Sequence, residues 1–439
     1  MTGSARRRVR PIALAVALVL AAALALWAHT RDRAGPGADA EAPPLHPLLR
    51  AGPVVGWVED GRAWLWVQTT RPARVEIALD EHNVQSASTD AAGDHIAVLE
   101  FSALAPGRHS LALRLDGEPV GLAPGAGFVV PDATAADFAF TFGSCLWVND
   151  GAHGPGGDFE LLDALAAEKA DFMLWLGDNV YLRDGDWNSE GAMRARYSHT
   201  RAFHRLRGLM ASRANFAIWD DHDYGPNDSG AEFALAGQAR RVMNDYWPGP
   251  DGHAGFAWRD CEFFLLDGRS FRRPPHTLLG AEQLQWLADA LAQSRATFKF
   301  VACGTQVLNP VNTKEPFPAA ELAAVTDAIA RRRVGGVVFL SGDRHFAELL
   351  RVQPAGCYPL FEFTSSPLSS PNNPPAPGSP EHDNPARVRG TLVPDRRNYG
   401  RIAVSGPPGA RVLELTCHDK TGAVLWSHRL TRGELAPRE

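Results

Sequence analysis

Apolar positions change rhythm twice along this chain. Residues 12 to 28 form one apolar run behind the basic stretch ARRRVR. Between 53 and 130 come short alternating or β-rich runs: VVGWVEDGRAWLWVQTT, ARVEIALD, HIAVLEFSAL, HSLALRLD and GAGFVV, separated by Asp-Gly, Pro-Gly and similar turns. That alternation predicts an antiparallel β-sandwich of about seven strands. After PDATAADF the strand-like runs become more continuously apolar, and each stops at a polar cluster: FAFTFGSC, ADFMLWLGD, RANFAIWDD, CEFFLLDG, TFKFVACGT and VGGVVFLSGD. Helical periodicity appears between several of them, as in FELLDALAAEKA and AEQLQWLADALAQS. Apolar strands alternating with helices predict an α/β (α+β) body, its sheets covered by helices on their outer faces. Functional groups in such folds collect in the loops beyond the strand ends.

The expected organisation is a leader and linker over 1–40, a sandwich over 48–132 and an α/β domain over 137–432. Basic residues ahead of an apolar run form an export pattern; both a cleaved signal and an uncleaved anchor fit it, and either leaves the body outside the cytoplasm. The segment 364–400, with SSPLSSPNNPPAPGSPEHDNP, is too rich in Pro, Ser and Asn for regular structure, which predicts a long surface loop near the site. ARVLELTCHDKTGAVLWSHRL predicts a closing hairpin that turns at Lys420-Thr421-Gly422 and carries no chemistry.

Composition narrows the function. A chain of 439 residues, 45% apolar and 21% charged, is globular rather than disordered. A net charge of −6, with the one dense basic cluster in the leader, argues against a nucleic-acid-binding regulator. No obligate protein partner is evident. The cysteines 145, 261, 303, 357 and 417 are too few and too scattered for a disulfide scaffold, and their odd number leaves at least one without an intramolecular partner. Cys261 and Cys303 lie in strand-like runs and read as core.

Four strand-end loops carry the chemistry: GSC (143–145), GDNVY (177–181), WDDHDYGPND (219–228) and SGDRH (341–345). Singly each is modest, since Gly-Asp after a strand is often only a turn and a lone Cys is often only core. Together they bring thiol, carboxylate, phenol and imidazole to the ends of separate strands, which is how a site is built. Thiolate and phenolate from Cys145 and Tyr181, with His345, suit an ion such as Fe(III). Asp221 and Asp343 offer carboxylate oxygen, which suits Ca²⁺, Mg²⁺ or Mn²⁺, and Asp178 could bridge the two.

The ordered set GSC, GDxxY, WDDHD and SGDxH behind a β-sandwich resembles the alkaline phosphatase D family of the calcineurin-like metallophosphoesterase superfamily. The resemblance runs from about residue 53 to the closing hairpin. It implies a four-layer α/β/β/α metallophosphoesterase domain behind a fibronectin III-like sandwich, and a site pairing Fe(III) with Ca²⁺, the second ion alternatively Mg, Mn or Zn. Carried across by motif, it implies Cys145, Tyr181 and His345 on iron, Asp178 as the bridge, Asp221 and Asp343 on the harder ion, and His222 as the acid for the leaving group. The superfamily's additional metal-binding His is missing from CGTQVLNP; Gln306, a water or a loop residue could stand in.

The activity so implied is hydrolysis of phosphomonoesters, phosphodiesters or both, by metal-bound hydroxide attacking phosphorus in line. Arg344 would steady the phosphoryl oxygens and His222, oriented by Asp223 or Asp220, would protonate the departing alkoxide. Asn227 and Asp228 could complete a calcium shell or be plain turn residues. Rival readings are a phospholipase or nucleotide diesterase using the same site, an inert surface binding protein, and a Cys145 thiol hydrolase. The last is the weakest, because so many nearby acids would disfavour a thiolate unless metals were present.

Overall fold

A computed structural model of the chain describes residues 46–149 and 159–437. The leader expected over 1–40 lies outside the described residues. Among those described, no helix is long and apolar enough to cross a membrane.

Eight strands come first: β1 (Leu49–Glu59), β2 (Arg62–Thr69), β3 (Arg74–Leu79), β4 (Asn83–Ser88), β5 (Ile96–Phe101), β6 (Gly107–Leu115), β7 (Glu118–Val120) and β8 (Gly127–Val130). They form two antiparallel sheets, β1-β2-β5 and β4-β3-β6-β7, with β8 on β6. Asp-Gly makes two of the hairpins: Asp60 and Gly61, like Asp116 and Gly117, all have positive φ, as two-residue hairpin turns of this handedness require. The short β7 and β8 raise the strand count to one above the sequence expectation.

The remaining strands build two six-stranded sheets. The first places β11 (Ala214–Ile218), β10 (Phe172–Leu176) and β9 (Phe138–Gly143) parallel to one another, then β18 (Tyr399–Ser405), β19 (Val412–His418) and β20 (Val424–Thr431) antiparallel. The closing hairpin, β19–β20, thus extends this sheet. The second has a parallel centre of β13 (Cys261–Leu265), β14 (Phe298–Cys303), β15 (Val337–Ser341) and β17 (Leu360–Thr364). Antiparallel edges, β12 (Ala254–Trp258) and β16 (Glu348–Val352), close it.

Connecting helices include α1 (Glu160–Ala167), α2 (Glu190–Arg201), α3 (Leu206–Ser212), α4 (Asp221–Tyr224), α5 (Ala236–Tyr246), α6 (Gly280–Gln293) and α7 (Ala319–Arg331). The two sheets meet through phenylalanine. Phe140 lies parallel to Phe172 at 5.0 Å and edge-on to Phe263 and Phe300 at 5.1 Å, and Phe216 stacks on Phe256 at 3.8 Å. Strands β10, β14 and β15 are buried on both faces, which explains their unbroken apolar runs.

The sandwich shares this core. Trp57 of β1 packs edge-on to Phe216 at 5.0 Å, the Trp66 indole N–H donates to the Asp245 carbonyl at 2.8 Å, and the Asn215 amide donates to the Val55 carbonyl at 2.9 Å. His46–Glu439 forms one packed unit.

Candidate metal centre

Strands β9, β10 and β11 of the first sheet and β15 of the second end at the same place. The Gly342 N–H donates to the Gly304 carbonyl at 2.8 Å. A Cβ on Gly342 would lie 2.5 Å from the Cβ of Ser144, so the strand ends of the two sheets touch only because position 342 has no side chain. The four motif loops therefore share one volume. Cys145, Asp178, Asp343 and His345 all have φ between 52° and 63°, the left-handed region that side chains other than Gly, Asn and Asp seldom adopt. Such backbone persists where the surroundings enforce it, and it clusters at functional sites.

The structure brings Cys145, Asp178 and His345 together, their donor atoms all within 4.8 Å of one another. The Tyr181 hydroxyl joins them, 3.0 Å from His345 Nε2. His345 Nδ1 lies 2.7 Å from the Pro371 carbonyl, which can only accept, so Nδ1 carries the proton and Nε2 presents a lone pair to the cluster. The Ser366 hydroxyl donates to Cys145 Sγ at 3.1 Å, and the amides of Ser369 and Ser370 both donate to the Cys145 carbonyl at 3.2 Å. Beside this group sit Asp178, Asp221 and His222, and beyond them Asp220, Glu315 and Asp343, each set again within 4.8 Å. A cavity of about 290 Å³ opens onto these acids, with Asn227, Asp228, Arg344 and Asn373 on its walls.

Electrostatics gives a test of fit for cations. Burial, then the neighbouring carboxylates, pushes Asp178 well above the usual carboxylate range. Burial and Asp178 do the same to the Cys145 thiol and the Tyr181 phenol, and burial with Glu315 raises Asp343 to about 7. Burial also opposes ionisation of Asp221, but His222, Arg269 and the Asp228 amide outweigh it and hold that carboxyl low. Asp343 Oδ2, Asp220 Oδ2 and His222 Nδ1 are buried without a hydrogen-bond partner. So many anionic donors in one buried volume, some unsatisfied, fit bound cations and fit little else.

Several sequence expectations need correction. Asp223 does not orient His222. Its Oδ1 accepts from the amides of Asn179 and Val180 at 2.9 and 3.1 Å, and its Oδ2 from the Asp220 amide at 2.9 Å, so it clamps the GDNVY loop to α4. Asp220 is committed to Arg269, whose Nε donates to Asp220 Oδ1 at 2.5 Å. The His222 backbone is what is fixed, by Asp178 Oδ1 at 3.2 Å and the Leu182 amide at 3.0 Å, while its ring stacks on Tyr181 at 4.4 Å. Gln306 does not stand in for the missing His, because its amide N donates to Glu348 and Thr364 at 2.7 and 2.8 Å. The 364–400 segment is not simply a surface loop either. Ser365, Ser366, Ser369 and Ser370 are wholly buried against Cys145 and the ends of β15 and β17. All five cysteines are free and buried. Arg344 does line the cavity, paired to Glu381 and 3.5 Å from Asp343.

Arg269, Arg272 and Glu315 escaped sequence reading. Arg269 is wholly buried and forks onto Glu315, both bonds at 2.9 Å, and Arg272 adds a 2.7 Å contact to Glu315. Arg269 follows the end of β13, a signal of the same kind as the four motifs; Glu315 sits in a long loop after β14 and had none.

Thiol, phenol, imidazole and carboxylate donors on the facing strand ends of two sheets form a site fit to hold metal ions. The profile of the PhoD-like phosphatase family matches residues 140–405, more than half of the chain. The chain belongs to that family and is a phosphoric ester hydrolase. A second profile, of a domain of unknown function, matches residues 46–133. Among solved structures, that of PhoD aligns with a TM-score of 0.72 and 19% identity over 89% of this chain and 93% of its own, which shows the shared fold. Vps29 of Entamoeba histolytica, complexed with zinc, covers 67% of this chain and 99% of its own at 10% identity and a TM-score of 0.27; Vps29 of Chaetomium thermophilum covers 67% and 97% at 12% and 0.26. Scores that low carry no argument. No curated protein sequence matches this chain.

Proposed function

We propose that the protein is an exported phosphatase of the alkaline phosphatase D kind, in which Cys145, Asp178, Tyr181 and His345 hold Fe(III) and Asp178, Asp221 and Asp343 hold Ca²⁺, or Mg²⁺, Mn²⁺ or Zn²⁺ in its place. The observation that carries this reading is the Tyr181–His345 contact beside Cys145 and Asp178, a donor set suited to a redox-type ion that shares Asp178 with a second set, Asp178, Asp221 and His222. When bound, such cations supply a nucleophile from water near neutral pH and offset charge on the phosphoryl oxygens.

The chain's own groups do the rest. His222, stacked on Tyr181 and held by its backbone, donates a proton to the leaving oxygen. Burial lowers its pKa against the pull of Asp221, and a bound phosphoryl anion adds the negative charge that favours the protonated ring. Arg344 faces the cavity and steadies a phosphoryl oxygen. Export rests on the basic, apolar leader, retained as an anchor or cleaved, and phosphate scavenging outside the cytoplasm is the role it suggests.

Electron donation from a bound phenolate to Fe(III) absorbs visible light. The aerobically purified protein should therefore show a broad visible band that Tyr181→Phe abolishes or shifts. An active, iron-free protein without the band would overturn the iron assignment, and a folded protein with neither band nor activity would return the inert reading.

A further inference from the structure

Arg183 closes the GDNVYLR loop two residues beyond Tyr181. Its guanidinium carbon lies 4.5 Å from the centre of the Trp147 ring and 4.9 Å from that of Tyr181, and Trp147 and Tyr181 are themselves nearly parallel at 5.2 Å. The planar head is thus laid against two rings beside the cluster. The His222 ring stacks on the same Tyr181, at 4.4 Å.

What it lacks among the described residues is a carboxylate partner. The acid nearest in its own loop, Asp186, is occupied: Oδ2 accepts from the Arg183 backbone amide at 3.0 Å and from Arg196 Nε at 3.1 Å. Among the described residues no acid pairs with the Arg183 side chain. The other arginines around the site each have an acidic partner, Arg269 in Asp220 and Glu315, Arg272 in Glu315, and Arg344, which also faces the cavity, in Glu381. A half-buried guanidinium held on two rings, with no acidic partner among the described residues, is placed to receive an anion.

We propose that Arg183 is a substrate clamp that grips a non-bridging oxygen of the phosphoryl group and thereby favours phosphomonoesters over phosphodiesters. The inference rests on the phosphoesterase reading of the site. A monoester dianion carries one more negative charge than a diester anion, so an added fixed cation stabilises it more. Stacking alone would leave Arg183 as a brace for Trp147 and Tyr181, a modest contribution. A brace does not need its donors free, and among the described residues these donors make no hydrogen bond or ion pair.

The test compares wild type with Arg183→Met and Arg183→Lys in the metal-loaded protein. Three quantities are measured: KM and kcat for an alkyl phosphomonoester and the matched diester, calorimetric affinity for inorganic phosphate, and the visible spectrum. Losing a charge-assisted bond should raise the Arg183→Met monoester KM and the Kd for phosphate about 10- to 100-fold, with the diester KM raised less, about 3- to 10-fold. The spectrum should stay unchanged. Arg183→Lys, which keeps the charge and loses the fork, should fall between. The clamp is overturned if phosphate affinity stays within about twofold of wild type, or if monoester and diester suffer equally. A shifted spectrum with equal losses would assign the residue to bracing alone. Wild type inactive on both esters would instead sink the phosphoesterase reading.

Discussion

His222→Ala should cut kcat about 10²- to 10⁴-fold on esters of ordinary alcohols while leaving esters of strongly acidic phenols within about threefold of wild type. The asymmetry follows from what an acid does. An alkoxide is a poor leaving group and needs a proton as the bond breaks, whereas an acidic phenolate departs without one. His222 is suited by placement rather than by hydrogen bonding: its ring stacks on Tyr181 at 4.4 Å, its backbone is tied to Asp178 and Leu182, and its Nδ1 is buried without a partner. Steady-state kinetics on a series of leaving groups checks it, as the slope of log kcat against leaving-group pKa should steepen in the variant. Equal loss across the series would mean that the ring holds a metal, a role open to it because it lies within 4.8 Å of the Asp178 and Asp221 donors.

The readable parts of this site are those written locally. Each metal-ligand candidate follows an apolar strand by a few residues, so a run such as FMLWL and the GDNVY behind it announce strand and loop together. The sandwich was legible for the same reason, through alternation and Asp-Gly turns. Contacts made across the fold were not. Whether Asp223 faces His222 or the backbone of the neighbouring loop depends on how the ends of β10 and β11 sit side by side, and no spacing encodes that. Ser366 and Pro371 belong to a stretch whose composition signals only irregular chain, yet their polar atoms complete the surroundings of Cys145 and His345. Composition predicts the absence of regular structure and says little about depth. Strand order was equally hidden: β18 returns to lie beside β9 after the whole second sheet has been built.

Arg269→Met should destabilise the protein by about 3–5 kcal/mol, the usual cost of removing one partner from a buried ion pair. Arg269 is wholly buried, its fork satisfies both oxygens of Glu315 at 2.9 Å, and its Nε meets Asp220. Methionine fills much of the same space and supplies no charge, so Asp220 loses its counter-ion and Glu315 keeps only Arg272. Burial already raises the Asp220 pKa, with Arg269 opposing the rise; without Arg269 it climbs further. A group whose folded pKa is raised is most favourable to folding below its unfolded value and loses that advantage as pH rises through the folded one. The variant's deficit should therefore be larger at pH 8 than at pH 5, which urea melts of chelator-treated proteins at the two values would show. Adding Glu315→Gln to Arg269→Met should recover part of the loss, because the second change removes a stranded charge; Glu315→Gln in the wild-type background should cost stability instead. If the two substitutions simply add, Arg269 is acting through packing, and the ion-pair account of this buried cluster is wrong.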